Sequence, residues 1–90
     1  MFDTAISAID ASVSKLTGLA AQNVNNAATI TPEDHFAFQT IQSQAFTAGR
    51  ISLETSQWLY HTLGGHSDVF NRQPLAVRIV TLHAIKELAK

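Results

Sequence analysis

The chain contains no cysteine among its 90 residues, which excludes a disulfide framework and thiolate chemistry. The usual thiolate ligands of a structural zinc site are missing with it. Charged residues make up only 14% of the chain, well below the roughly 25% of an average soluble protein. Such a surface has weak long-range electrostatic fields, so it suits contact with another protein better than contact with a polyanion.

Long hydrophobic runs and a basic N-terminal region are also missing. No apolar stretch approaches the length of a membrane span, and the first residues, MFDTAISAID, carry an acid where an export signal carries positive charge. We therefore expect no membrane contact and a cytoplasmic location. The length predicts one helical domain over residues 1–90, with little stability to spare.

Motifs of catalysis are missing as well. No serine lies in a G-x-S-x-G turn, and Gly64-Gly65 lacks the lysine and the spacing of a phosphate-binding loop. The adjacent acids Glu33 and Asp34 are explained by the start of a helix, where negative charge is favourable. We expect no enzymatic activity and no cofactor.

The patterns that are present indicate an all-α fold without β-hairpins. Four helices are predicted, over approximately residues 3–22, 32–48, 53–63 and 74–89. Thr31 is a good cap for the second helix, with Pro32 at its first position, and Ser52 is a good cap for the third. We expect a compact bundle packed around the C-terminal helix.

That last helix, PLAVRIVTLHAIKELAK, is apolar on nearly every side, which is typical of a buried helix. It is interpreted as the central helix of the bundle or as half of a dimer core. The first helix, with Asp3 as its expected cap, carries a narrow apolar seam with heptad spacing. That seam suits one neighbouring helix, either inside the chain or in a second copy.

Two segments are predicted to be irregular. The stretch QNVNNAATI is rich in asparagine and without clear periodicity, so it reads as a loop. The stretch HSDVFNRQ reads as a connection in which Val69 and Phe70 fill the core. In the third helix, Trp58 is expected on the buried side, and Tyr60 points elsewhere.

Aromatic side chains cluster in the middle of the chain, and a short bundle rarely covers all of them. Tyr60, Phe36 and Phe46 are therefore candidate contact residues, with Arg50 and Arg78 as charged candidates. We expect a small non-catalytic protein–protein interaction module, such as an adaptor, regulator or assembly subunit. Its expected partner is a second copy, giving a homodimer, or another protein.

The net charge of −1 is unevenly distributed. Residues 1–70 carry a balance of −4, and residues 71–90 carry +3. One interpretation is favourable charge at helix ends, with acids early and bases late. The other is a contact between an acidic and a basic part of the molecule.

The first alternative function is DNA binding by residues 42–63. The segment AGRISLETSQWL resembles the turn and second helix of a bacterial repressor, with about one residue too many after the glycine. The resemblance implies a recognition helix, but this helix carries Glu54 and no lysine or arginine, and only Arg50 stands in the turn. Nucleic acid is therefore an unfavoured partner.

The second alternative is a metal-binding protein. His61, His66 and Asp68 lie close together around the Gly-Gly turn, and two imidazoles and a carboxylate can ligate a metal. Their spacing matches no established motif, and His35 and His83 would have to converge from other helices. A histidine near a helix C-terminus is also explained by the helix dipole, so no metal is expected.

Overall fold

Five helices make up most of the residues that the computed structural model describes, which are residues 2–24 and 27–90. Within these ranges the chain contains no strand. The helices are α1 (Asp3–Ala21), α2 (Pro32–Thr47), α3 (Leu53–Leu63), α4 (Ser67–Asn71) and α5 (Leu75–Ala89). They form a compact all-α bundle with a radius of gyration of 12.3 Å, which confirms the predicted fold class.

α5 is the centre of this bundle, because it packs against α1, α2 and α3. Leu82 and Ile85 are fully buried in those contacts. The predicted packing around the C-terminal helix is therefore confirmed. The expectation that this helix is covered on nearly every side is wrong. Val80 is 55% exposed, and His83 and Glu87 face solvent, because the neighbours leave one stripe along α5 uncovered.

α1 uses its apolar seam inside the chain, mainly against α5. Ile9 and Leu16 are fully buried, and the smaller Ala5 and Ser12 extend the buried stripe. Of the two interpretations of the seam, packing within the bundle is the one that the structure bears out.

The ends of α1 differ from the expectation in one detail. Phe2 occupies the cap position and makes no side-chain hydrogen bond, so the prediction of Asp3 as the cap is wrong. Asp3 lies instead in the first helical turn, where its carboxylate still complements the helix dipole. The helix continues through Gly18 to Ala21.

α2 begins with the capping residue that the sequence predicts, Thr31. The Asp34 N–H donates to Thr31 Oγ1 at 3.1 Å, and the Thr31 N–H donates to Asp34 Oδ2 at 3.2 Å. This reciprocal pair satisfies two of the backbone donors that a helix start leaves free. Pro32 is the first residue of the helix. The chain leaves α2 through Gly49, whose φ of 74° is a conformation that favours glycine.

The asparagine-rich stretch lies outside the helices at residues 22–24 and 27–30, as expected for a loop, while Asn25 and Asn26 lie outside the described residues. Two side chains from later in the sequence hold residues 27–30. Asn71 Oδ1 accepts from the Thr29 and Ile30 N–H groups. Arg78 Nη1 donates to the Ala27 carbonyl at 3.0 Å.

The segment after α3 contains a helix that the sequence did not predict. α4 is five residues long, and His66 caps it by accepting the Asp68 N–H at Nδ1. The prediction that the segment is an irregular connection is therefore wrong. The His66 side chain stabilises the start of the helix by accepting one of its free backbone N–H groups. Phe70 is fully buried, as expected, but Val69 is 40% exposed.

Candidate interaction surface

Most of the large apolar side chains that stay exposed belong to α2 and α3. Among the described residues, the exposed large apolar side chains are Val24, Phe36, Phe46, Leu53, Trp58, Tyr60, Val69 and Val80. Three of them lie on α3, which is only 11 residues long. This density makes α3 the centre of the candidate surface.

α3 has two distinct sides. Its inner side is buried against α2, α4 and α5 and consists of Ser56, Leu59, Thr62 and Leu63. The exposed positions of α3 other than Thr55 form what we call the α3 outer face: Leu53, Glu54, Gln57, Trp58, Tyr60 and His61. The exposed fractions are 58% for Leu53, 43% for Trp58 and 58% for Tyr60. The outer face thus presents an aliphatic, an indole and a phenol side chain to solvent.

The prediction that Trp58 is a buried residue of α3 is wrong. Leu59 and Leu63 fill the interior on the inner side, and at about 100° per residue Trp58 falls at the edge of that side. Tyr60 points away from the core, as expected. Its role as a contact residue stays a prediction.

A shallow groove of about 630 Å³ runs along the α3 outer face beside α2. Gln42 of α2 and Ser56 of α3 line it, and the Gln42 side-chain amide donates a hydrogen bond to the Ser56 hydroxyl. Gln57, Trp58, Tyr60 and His61 complete the lining. The lining therefore combines aromatic rings with uncharged polar groups and one imidazole. This combination is common at the centres of protein interfaces.

Phe46 extends this surface from α2. Gln39 and Gln42 lie on the side of α2 that faces α3, where they donate to the Gly64 carbonyl and to Ser56. Phe46 follows Gln42 by one helical turn, so it lies on the same side of α2, nearer the start of α3. It is 42% exposed. Phe36, which is 72% exposed, lies on the side of α2 opposite the buried Phe38.

The two arginines proposed as contacts have structural partners. Arg50 is exposed, and its Nη1 donates to the Leu88 carbonyl at 2.8 Å, near the end of α5. Arg78 is fully buried, and its Nε donates to the Gln73 carbonyl at 2.9 Å. Burial lowers the pKa of the Arg78 guanidinium from its usual value. A buried side chain offers no surface contact, so Arg78 does not enter the surface described here.

The residues of the hypothetical metal site do not form a ligand cluster. His66 Nδ1 lies 3.6 Å from Asp68 Oδ2, but it already accepts the Asp68 N–H. Over residues 2–24 and 27–90, no three histidine, aspartate or glutamate side chains gather closely enough to hold a metal ion. Of the other two histidines, His35 is buried, with Nε2 3.0 Å from the Leu63 and Gly64 carbonyls, and His83 lies on the exposed side of α5.

The helix pair of the DNA-binding alternative does form, because residues 48–52 join α2 to α3. The α3 outer face offers no cation for phosphates, however, since its charged residue is Glu54. Arg50 in the turn is engaged with the Leu88 carbonyl. DNA binding by residues 42–63 stays a prediction that these contacts do not favour.

Comparison of the chain with models of protein families, with curated proteins and with solved structures finds no match. In the described part of the chain, no helix has both the length and the apolar character needed to cross a membrane.

The spacing of Leu53, Gln57 and Tyr60 is the feature of the sequence that indicates which residues belong to the α3 outer face. These residues follow one another by four and three positions, so they share one side of a helix. Leu53 was not among the residues predicted to make contacts, although this spacing identifies it. What the spacing alone does not reveal is that this side faces solvent.

Proposed function

We propose that the chain is a small non-catalytic protein–protein interaction module that self-associates through the α3 outer face. The observation that carries this proposal is the exposure of Leu53, Trp58 and Tyr60 on one short helix. Among the described residues, α1 exposes no large apolar side chain, and α2, α4 and α5 expose two, one and one, so the three on the 11-residue α3 are the densest group. Apolar side chains grouped on one face of a folded protein are typical of an interaction site.

The chemistry of the face supports a protein as the partner. Tryptophan and tyrosine are enriched among the residues that dominate binding energy, because each buries a large area at a small entropic cost. The groove beside α2 is lined by two aromatic rings, neutral polar groups and one imidazole, which gives little attraction for a polyanion.

The arrangement of polar groups in the groove supports a role without catalysis. A serine nucleophile needs a base within hydrogen-bonding distance of its hydroxyl. The Ser56 hydroxyl instead accepts a hydrogen bond from the Gln42 amide, and Ser56 is buried on the inner side of α3. The groove is also wide open to solvent and offers no enclosed reaction chamber.

The molecular mass in solution tests self-association. We would measure it by light scattering from about 10 μM to about 1 mM, the range in which small interfaces associate. The mass should rise from that of a 9.8 kDa monomer towards twice that value. Leu53→Ser should keep the protein monomeric, because it removes an exposed apolar side chain from the contact.

Val80→Ser is the matched control, since Val80 is 55% exposed but lies on α5. It should leave the association unchanged. A protein that stays monomeric at about 1 mM would contradict self-association. Equal effects of Leu53→Ser and Val80→Ser would place the contact elsewhere than on the α3 outer face.

A further inference from the structure

We propose that two copies of the chain pair through α3 in antiparallel orientation, about a two-fold axis that passes close to Gln57. This inference rests on the proposed function and specifies the partner as the same face of a second copy. The order of side chains along the α3 outer face carries it.

Apart from Trp58, which lies about 100° around the helix axis from Gln57, the outer face consists of three parallel rows. Gln57 lies in the middle row, opposite the buried side of α3. Leu53 and Tyr60 form an apolar row on one side of it, and both are 58% exposed. Glu54 and His61 form a polar row on the other side, and both are exposed. The two residues of each row are separated by two helical turns.

The two rows share nearly the same centre. The midpoint of Leu53 and Tyr60 and the midpoint of Glu54 and His61 each lie half a residue from Gln57, which is about 0.75 Å along the helix axis. A two-fold axis at Gln57 therefore brings Leu53 of one copy to Tyr60 of the second copy. It also brings Glu54 to His61 of the second copy. Each contact occurs twice, as a symmetric dimer requires.

The rows also select the direction of pairing. When two antiparallel helices are related by a two-fold axis, each side of one helix meets the same side of the other. The apolar row then meets the apolar row, and the carboxylate of Glu54 meets an imidazole. In a parallel pair, opposite sides meet, so Leu53 and Tyr60 would face Glu54 and His61. The antiparallel arrangement is thus complementary in polarity, and it places an imidazole, which can donate a hydrogen bond, opposite each carboxylate.

The size of the contact limits its strength. α3 is about 16 Å long, and a pair of such helices buries less area than the roughly 1,600 Å² of a standard interface. Phe46 lies near the start of α3 and is available to enlarge the contact. We expect a dimer that forms and separates reversibly, with a dissociation constant in the micromolar range or above.

The absence of cysteine makes a direct geometric test possible. Facing Cα atoms of two packed helices are about 3.5–5.5 Å apart at the contact, which overlaps the range that a disulfide bridges. Gln57→Cys should therefore form a disulfide-linked dimer under mild oxidation at least about tenfold faster than Ser14→Cys. Ser14 is an exposed position on α1, so it reports the rate of random collisions.

Charge substitutions test the polar row independently. His61→Glu places like charges opposite one another twice, so the dissociation constant should rise about tenfold. The double variant Glu54→Lys with His61→Glu places opposite charges across each contact and should restore the association. His83→Glu, at an exposed histidine on α5, should have little effect. Circular dichroism of each variant confirms that the helices remain.

The outcomes separate this inference from the proposed function. Fast cross-linking at Gln57 together with rescue by the double variant supports the antiparallel pairing. A dimer by light scattering that cross-links no faster at Gln57 than at Ser14, and that the double variant does not rescue, overturns the pairing alone. A monomer at every concentration overturns the pairing and the self-association together.

Discussion

Ser12 carries a hydroxyl that is buried and has no hydrogen-bond partner in the part of the chain that the structure describes. Burial without a partner costs about 1–3 kcal/mol, so Ser12→Ala should raise the free energy of unfolding by about 1–2 kcal/mol. Ser14→Ala on the same helix is the control, because Ser14 is exposed and reports the gain in helix propensity alone, about 0.5 kcal/mol. Urea unfolding of both variants measures the two changes in the free energy of unfolding. Equal gains in the free energy of unfolding would mean that the Ser12 hydroxyl has a hydrogen-bond partner in solution.

Arg78 is the second residue whose environment dictates a measurable result. Its guanidinium donates to the carbonyls of Ala27 and Gln73 from a fully buried position. A lysine lacks the rigid fork that reaches two acceptors at once, so Arg78→Lys should lower the free energy of unfolding by about 1–3 kcal/mol. Arg72→Lys, at an exposed site, should change it by less than about 0.5 kcal/mol. If both variants have the same stability, the hydrogen bonds from Arg78 to these two carbonyls do not stabilise the fold.

At the scale of elements, Gly64 determines how α3 joins α4. Its φ of 75° and ψ of 174° lie in a region that essentially only glycine occupies. The Val69 side chain also fills the space that a Cβ at this position would need. Gly64→Ala should therefore lower the melting temperature, with about 1–3 kcal/mol from backbone strain and a further loss from the clash.

Gly65→Ala provides the control for this prediction, since nothing lies within 4 Å of a Cβ at that position. It should be nearly neutral. Adding Val69→Ala to Gly64→Ala should recover only a small part of the loss, because it removes the contact with Val69 Cγ1 but keeps the contact with the Cβ of residue 69 and the backbone strain. A Gly64→Ala variant as stable as Gly65→Ala would contradict the assigned backbone conformation.

Local chemistry explains which elements could be predicted from the sequence. The cap formed by Thr31 and the first position of Pro32 depend only on residues close in sequence, and both were predicted. The inner side of α3 depends on which neighbours pack against it, so Trp58 was assigned to the core although it lies at its edge. The roles of Asn71 and Arg78 are contacts across 40 or more residues, and periodicity carries no signal for them.

At the scale of the molecule, the uneven charge is partly used within the chain. Lys86 Nζ lies 2.7 Å from Asp10 Oδ1, so a base of α5 meets an acid of α1 in the bundle. Lys90 pairs with Glu87 within the last turn, and this base lowers the pKa of the Glu87 carboxyl. The Lys86–Asp10 pair represents the contact between a basic and an acidic part, and the acids in the first turns of α1 to α4 represent favourable charge at helix ends. Among the described residues, the largest group of apolar side chains that a single helix leaves exposed is the one on α3.

Self-association through these residues links the stability of the protein to its concentration. A partner that binds only the folded chain, at about ten times its dissociation constant, adds about 1.4 kcal/mol of stability. For a domain of this size, that gain raises the melting temperature by about 6–11 °C. Calorimetry at about 10 μM and about 1 mM should therefore give a higher melting temperature for the concentrated sample.

Two variants, one on α3 and one on α5, show which surface makes the melting temperature depend on the protein concentration. Leu53→Ser should make the melting temperature independent of concentration, because an exposed residue of the contact is lost while the core is untouched. Val80→Ser should preserve the dependence, since Val80 has a similar exposure but lies on α5. If the wild-type melting temperature does not change with concentration, no partner copy stabilises the fold. The exposed side chains of α3 would then have to serve a different protein.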